Sequence, residues 1–289
     1  MAQIAIAGAA FTGFRVIREQ GWTVLMCAVI ATGAFIWDHE AVFLLAGPAT
    51  AELSRLGVQG MMDPRKLLPI YLEMAPAYLA ILPFSLVIGA LVNAAMNRVI
   101  LRPGDRGFGY FQLGMDEVRQ AGVMLALWLI FLGGGLGLGF IVGVTAVAAK
   151  GALGPVIVLT AIFGGVAALI LSVRLSLAPA LSFDTRRFNL SGSWALTRRR
   201  FWPLLGAYAL TGLAALAVLS ITIAVLTMLA VLFHLVDAAP HAAMAGITAP
   251  AVLGAAGGGL LYPIMQTPSA AIYHQITGGF GPNFEEAVS

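Results

Sequence analysis

The chain has 289 residues, of which 60% are hydrophobic and only 10% are charged. Because a soluble globular domain carries about 25% charged residues, this composition excludes an ordinary water-soluble fold and a disordered chain. With a single cysteine, the chain cannot form an intrachain disulfide either. The composition instead indicates an integral membrane protein.

Six apolar runs are long enough, or nearly long enough, for a helix that crosses about 30 Å of hydrocarbon. We therefore predict an all-α, polytopic membrane protein with a single transmembrane domain over residues 1–289. Several prolines interrupt the last run, which favours one broken span there over two complete ones. The predicted spans are about 20–39, 75–98, 120–147, 152–174, 203–233 and 247–273.

The basic residues are distributed unevenly between the two sides that six spans would create. Residues 1–19, 98–119 and 174–200 and the C-terminal tail would share one side. Because Lys and Arg collect in cytoplasmic loops, both termini are predicted to be cytoplasmic, and the positive charge then reflects topology and not nucleic-acid binding. This side holds twelve of the sixteen basic residues: Arg15, Arg18, Arg98, Arg102, Arg106, Arg119, Arg174, Arg186, Arg187, Arg198, Arg199 and Arg200.

The longest predicted connection is the extracytoplasmic segment 40–73, in which acidic and basic residues are mixed. Residues 49–58 within it have helical spacing. A loop of this length usually has structure or purpose of its own. We expect a short helix lying on the membrane surface, and the alternative is an element that binds a protein partner.

Three predicted cytoplasmic segments share an amphipathic pattern, with apolar residues on one face and arginines on the other. They are residues 14–22, 115–122 and 194–202. The pattern predicts three tandem units, each an interfacial amphipathic helix followed by a transmembrane hairpin. Alternatively, the segments are the ordinary basic flanks of membrane spans.

Residues 97–110, NRVILRPGDRGFGY, continue to LGMDE at 113–117 and are followed later by SGSWALTRRRFWPLLG at 191–206. Together with AIYHQ at 271–275, they resemble the bacterial glycerophosphoryl diester phosphodiesterase membrane-domain proteins. The resemblance implies a bacterial inner-membrane protein with a link to lipid head groups. That family's hydrolytic chemistry belongs to a separate soluble barrel, which this sequence does not supply. We therefore predict no enzymatic activity.

The residues give no independent sign of catalysis. The four histidines, His39, His234, His241 and His274, lack the His-x-x-x-His spacing typical of metal ligands. His234 and His241 lie seven apart with Asp237 between them, which leaves a weak metal site as the alternative to histidines exposed to water. The glycine-rich stretch 133–143 has no strand before it, so it predicts close helix packing and not nucleotide binding. We predict neither a metal nor a cofactor.

A few polar residues lie within the predicted spans. Asn93 and Asn97 share one face of the second span, and Gln266 and Tyr273 belong to the sixth. They are candidates for lining a cavity, and their alternative role is hydrogen bonding between helices.

The most distinctive polar feature is a set of cytoplasmic arginines interleaved with aromatic residues. Such a set suits the head groups of anionic lipids, and its alternative role is to determine topology. We therefore expect a scaffold or lipid-interacting accessory protein. A transporter or permease for an apolar or amphiphilic solute is the first alternative, and an intramembrane lipid-modifying enzyme is the second. The candidate lipid-phosphate residues are Arg186, Arg187, Arg198, Arg199, Arg200 and Trp202.

Overall fold

The computed structural model describes residues 5–56, 64–105, 107–148, 153–232 and 249–278. Within these ranges every regular element is helical and no strand occurs, which confirms the all-α prediction. A 3-10 turn lies at Phe108–Tyr110. The α-helices are α1 (Ile6–Ala10), α2 (Thr12–Glu19), α3 (Gly21–Arg55), α4 (Pro64–Leu101), α5 (Met115–Ala148), α6 (Leu153–Leu175), α7 (Ala178–Asp184), α8 (Leu190–Thr197), α9 (Phe201–Leu232) and α10 (Ala249–Thr277).

Five helical stretches in the described ranges are long and apolar enough to cross a membrane. They support a multi-pass membrane protein, but the predicted count of six spans is not confirmed. The sixth predicted span is helical in α10, yet it is not among the five. The five stretches are Gly21–Arg55, Lys66–Leu101, Phe108–Val142, Val158–Asp184 and Phe201–Val225.

Helix α3 continues well beyond the predicted end of the first span at residue 39. Pro48 cannot donate the backbone hydrogen bond that a helix requires, and the backbone departs from helical geometry nearby, at Ala46 (φ −136°, ψ 32°). The helix is kinked there but goes on to Arg55. Residues 47–55 are thus a helical segment beyond the kink, where the sequence predicted helical spacing, and its place on the membrane surface stays a prediction. Residues 57–63 lie outside the described residues.

The amphipathic segments differ in the structure they adopt. Before the first predicted span, α2 is a separate short helix. Residues 115–122 form the first two turns of α5 and are not a separate helix. Residues 194–202 cover the end of α8 and the beginning of α9. The organisation in three tandem units stays a prediction.

The chain divides into two compact units. One, the hairpin unit, comprises Gly13–Val92 and Gly212–Met265. Within it, Ala46 and Ala49 of α3 pack against Ile70, Met74 and Ala77 of α4. The Ser85 hydroxyl of α4 also donates to the Asp38 carboxylate of α3 over 2.8 Å, so this carboxylate has a partner inside an apolar hairpin.

The other unit, the arginine unit, comprises Met1–Thr12, Asn93–Thr211 and Gln266–Ser289. Here α5 packs against α6 and α7, and α8 packs against α6 and α7. Ser193 and Thr197 of α8 donate to the Arg174 carbonyl over 2.8 and 3.2 Å. These bonds satisfy a backbone acceptor near the end of α6 that has no partner within its own helix.

The glycines of α5 and α6 differ in how closely they are packed. Gly164 of α6 is buried, and a Cβ atom added there would lie 2.5 Å from Cδ1 of Leu138 in α5. At Gly135 and Gly139 an added Cβ would meet no described atom within 4 Å. Within the arginine unit, close packing of α5 on α6 therefore involves Gly164 of α6 and not Gly135 or Gly139 of α5.

Replacing Gly164 by isoleucine should destabilise the protein by about 1–3 kcal/mol, because the larger side chain overpacks the contact with Leu138. The matched control is Gly165→Ile, since an added Cβ there meets no described atom within 4 Å. We expect the control to change stability by less than about 0.5 kcal/mol. Unfolding in mixed detergent micelles measures both variants, and equal stability of the two would refute this packing role.

Candidate functional site

Four of the arginines that the sequence singles out are exposed and have no partner in the part of the chain that the structure describes. Arg186 and Arg187 follow α7, and Arg198 and Arg199 follow α8. None of the four makes a salt bridge or side-chain hydrogen bond to another described residue. Arg200 differs, because it is half-buried and its Nη1 donates to the Leu196 carbonyl over 3.5 Å.

Aromatic side chains surround these arginines along the chain. Trp202 is 76% exposed, and Phe188 and Trp194 are also exposed. The ring of Phe201 contacts that of Trp202 edge to face, with centroids 5.4 Å apart. Exposed aromatic rings beside basic groups are typical of the interface between membrane and water.

Arg174, at the end of α6, was predicted only as a determinant of topology. Its guanidinium carbon lies 5.6 Å from the ring centre of Trp194 and 5.5 Å from that of Phe201. Its Nε and Nη1 atoms are buried without a hydrogen-bond partner among the described residues. The structure therefore places a cation with two unpaired donors near two rings that belong to the arginine-rich segment.

A second set of arginines is paired with carboxylates, and we call it the ion network. Asp116 accepts from Arg119 through Oδ1, over 2.7 Å, and from Arg102 through Oδ2, over 2.9 Å. Arg98 Nη2 lies 2.6 Å from Glu117 Oε1 and 3.7 Å from Asp116 Oδ2. The ion network thus consists of Arg98, Arg102, Asp116, Glu117 and Arg119, and its formal charge is +1.

Backbone carbonyls and one ring complete the ion network. Arg98 donates to the Tyr110 carbonyl over 3.1 Å, and Arg102 donates to the Phe183 carbonyl over 3.0 Å. Both guanidinium groups lie near the buried ring of Phe183, 5.6 and 4.5 Å from its centre. The network therefore joins α4, the 3-10 turn, α5 and α7 within the arginine unit.

Burial makes the pairing of Arg98 essential. The residue is 2% exposed, and Glu117 is 6% exposed. An ionised group removed from water is strongly unfavourable unless it is paired and hydrogen-bonded. The adjacent acidic residues Asp116 and Glu117, in a segment rich in arginine, were the sequence signal for this site, which the predicted site residues did not include.

A pocket of about 320 Å³ opens beside the ion network. Residues 112–116 form part of its wall, together with the side chains of Arg98, Arg119 and Arg186. Arg186 was predicted to bind lipid phosphate. It lines this pocket together with Arg98 and Arg119, which were not among the predicted phosphate-binding residues.

The predicted cavity residues fall into two groups. Asn97 Nδ2 donates to Asn93 Oδ1 over 2.7 Å, and Asn93 Nδ2 donates to Gln266 Oε1 over 3.1 Å. These three amides form a ladder that joins α4 and α10, and both asparagines are buried. Tyr273 is bonded elsewhere, because its hydroxyl donates to the Asp184 carboxylate over 2.8 Å.

Among the described residues, no group of three or more His, Cys, Asp or Glu side chains is arranged to hold a metal ion. His234 and His241 lie outside those residues. Asp116 and Glu117 are adjacent, but guanidinium groups already occupy the positions around their carboxylates. A metal cation would have to displace these groups.

No protein-family model, curated protein or solved structure matches this sequence. The resemblance to the phosphodiesterase membrane-domain proteins therefore stays a prediction. The function must be argued from the side chains themselves.

Replacing Glu117 by glutamine should destabilise the protein by about 3–5 kcal/mol, because the buried guanidinium of Arg98 loses its closest counter-charge. The matched control is Glu19→Gln, which breaks the 3.7 Å pair between Glu19 and the exposed Arg18. We expect a loss of about 0–1 kcal/mol there. Unfolding in mixed micelles compares the two, and a similar loss in both would contradict the importance of the buried pair.

Proposed function

We propose that this protein is a non-enzymatic scaffold or lipid-interacting accessory protein of the bacterial inner membrane. It binds anionic lipid head groups at its cytoplasmic face through Arg186, Arg187, Arg198, Arg199, Arg200 and Trp202. The observation that carries the proposal is the contrast between two sets of arginines. Arg98, Arg102 and Arg119 share two carboxylates, whereas four of the proposed arginines are exposed without a partner among the described residues.

Exposed arginines suit lipid phosphate for a physical reason. The apolar stem of arginine can lie along the acyl boundary while the guanidinium group reaches the phosphate, to which it donates several hydrogen bonds. Each basic residue near an anionic membrane surface contributes about 1 kcal/mol of attraction. Trp202, which is exposed next to this segment, would anchor it at the depth of the head groups.

Arg174 could add hydrogen-bond donors to the same lipid-binding surface. Its Nε and Nη1 atoms have no acceptor among the described residues, and its guanidinium group lies near the rings of Trp194 and Phe201, the latter directly after Arg200 in the chain. A phosphate oxygen that reached this place would supply the acceptor that the described residues do not. The site would then combine exposed arginines that attract lipid with one partly buried arginine that orients it.

A permease for an apolar or amphiphilic solute is the alternative. The ladder of Asn93, Asn97 and Gln266 is the observation in its favour, because buried amides can line a solute pathway. In this structure the amides donate to one another, so a solute would first have to break these bonds. The exposed arginines need no such rearrangement, and we therefore prefer lipid binding.

Replacing both Arg198 and Arg199 by glutamine should weaken binding of phosphatidylglycerol about thirtyfold, since each arginine contributes about 1 kcal/mol. Arg200 is kept because its guanidinium is bonded to the Leu196 carbonyl. Titration of the detergent-purified chain with phosphatidylglycerol, followed by native mass spectrometry, measures the affinity.

The control for that titration is the double variant Arg55→Gln and Lys66→Gln. It removes the same charge from two exposed residues on the predicted opposite side. We expect its affinity to stay within about threefold of the wild type. If both double variants lost the same affinity for phosphatidylglycerol, the loss would be explained by net charge alone. That result would contradict a specific site.

The proposed orientation can be tested separately by cysteine labelling, since the one native cysteine, Cys27, is buried. Ser54 and Ser191 are exposed and are each replaced by cysteine. A membrane-impermeant maleimide should modify the residue at 54 in intact spheroplasts and the residue at 191 only in inverted vesicles. Modification of both from the same side would contradict the predicted topology.

A further inference from the structure

The pocket beside the ion network is chemically different from the exposed arginine surface. We propose that it binds the dianionic phosphate group of a phosphate monoester. This inference goes beyond the proposed function, which concerns anionic lipid at a surface. The two share only Arg186, and either can fail without the other.

The charge of the pocket favours a dianion. Its wall is formed in part by Arg98, Arg119 and Arg186, and by Asp116, which carries a carboxylate. Each oxygen of that carboxylate already accepts from a guanidinium group, from Arg119 at Oδ1 and from Arg102 at Oδ2. The charged side chains of the wall sum to +2. A phosphate monoester carries close to two negative charges at neutral pH, because its second pKa is about 6.

Two of the arginines are held in place before any ligand binds. Arg98 is fixed by Glu117 and by the Tyr110 carbonyl, and Arg119 is fixed by Asp116. A guanidinium group has five N–H donors, so the bond of Arg119 to Asp116 leaves other donors of Arg119 for an anion. Because the side chains are already ordered, binding costs little conformational entropy.

Arg186 has a backbone conformation that is unfavourable for a residue other than glycine. Its φ angle is +53°, in the left-handed region that non-glycine residues seldom adopt. Strained backbone of this kind tends to persist where it places a functional side chain. Here it places an exposed arginine, without an ion pair among the described residues, in the pocket wall.

The backbone and the size of the pocket fit the same ligand. Met115 and Asp116, in the first turn of α5, line the pocket, and the N–H groups of a first turn lack partners within the helix. A volume of about 320 Å³ is near the lower end for small-molecule sites, which are about 300–1,000 Å³. A phosphate head with a short attached group would fit, and acyl chains would remain outside.

Two sources could supply a phosphate monoester: a lipid head group or a soluble ester. The experiment uses the full chain, purified in a neutral detergent. One arm titrates glycerol 3-phosphate and inorganic phosphate by isothermal titration calorimetry. The other compares phosphatidic acid with phosphatidylglycerol in nanodiscs, because these lipids differ in whether the phosphate is a monoester.

The variant Arg186→Gln should weaken binding of the monoester by about tenfold or more, as expected when a charged hydrogen bond is lost. Arg55→Gln removes the same charge outside the pocket and should bind as the wild type does. Arg186→Gly guards against a folding defect, because glycine adopts the left-handed conformation without strain. It should be at least as stable as the wild type and should lose binding to the same extent.

Each outcome of these titrations either supports the proposal or overturns it. Saturable binding of glycerol 3-phosphate that depends on Arg186 supports the proposal with a soluble ligand. Preference for phosphatidic acid alone, again dependent on Arg186, supports it with a lipid ligand. The proposal is overturned if neither ester binds, or if both Arg186 variants bind normally. Because Arg198 and Arg199 do not line the pocket, their variant tests only the lipid surface.

Discussion

The structure of the arginine unit depends on the neutralisation of one buried charge. Arg98 lies near the end of an apolar helix and is almost completely buried, so its guanidinium group needs a carboxylate in contact with it. The chain supplies Glu117 from the first turn of α5, 2.6 Å away. This requirement determines where α5 begins relative to the end of α4. The backbone that connects the two helices is bound to the same arginine, because Arg98 donates to the Tyr110 carbonyl. Tyr110 has a left-handed conformation there (φ +66°).

The same network explains why some arginines remain exposed. Asp116 accepts from Arg102 and Arg119, and Glu117 forms an ion pair with Arg98, so both carboxylates are already paired with arginines. Asp184 lies two residues before Arg186 in the chain but accepts from the Tyr273 hydroxyl. The arginines after α7 and α8 are therefore left without an acid among the described residues. Positive charge concentrates where the segment is also rich in aromatic residues, and an anionic membrane surface would be attracted there.

The sequence predicts the helices well but not their ends or the pairing of their charges. Apolar runs indicated the helical spans, because a chain in hydrocarbon must satisfy its backbone hydrogen bonds internally. The length of α3 was missed, since composition shows where a helix can leave the membrane but not where its hydrogen bonding stops. The contact of Arg98 with Glu117 was missed for another reason. It joins two helices across a loop, and no periodic pattern within either helix records it.

The two sets of arginines should also respond differently to ligand. Arg98 and Arg119 are held by carboxylates in the absence of an anion, so the pocket is formed in advance. A ligand there gains affinity because little has to be ordered, and it stabilises the folded state in proportion to the logarithm of its concentration. Arg198 and Arg199 are exposed and unpaired among the described residues, so each must lose side-chain freedom when it contacts a phosphate. The pocket is therefore suited to selecting one ligand, and the exposed surface to tolerating many.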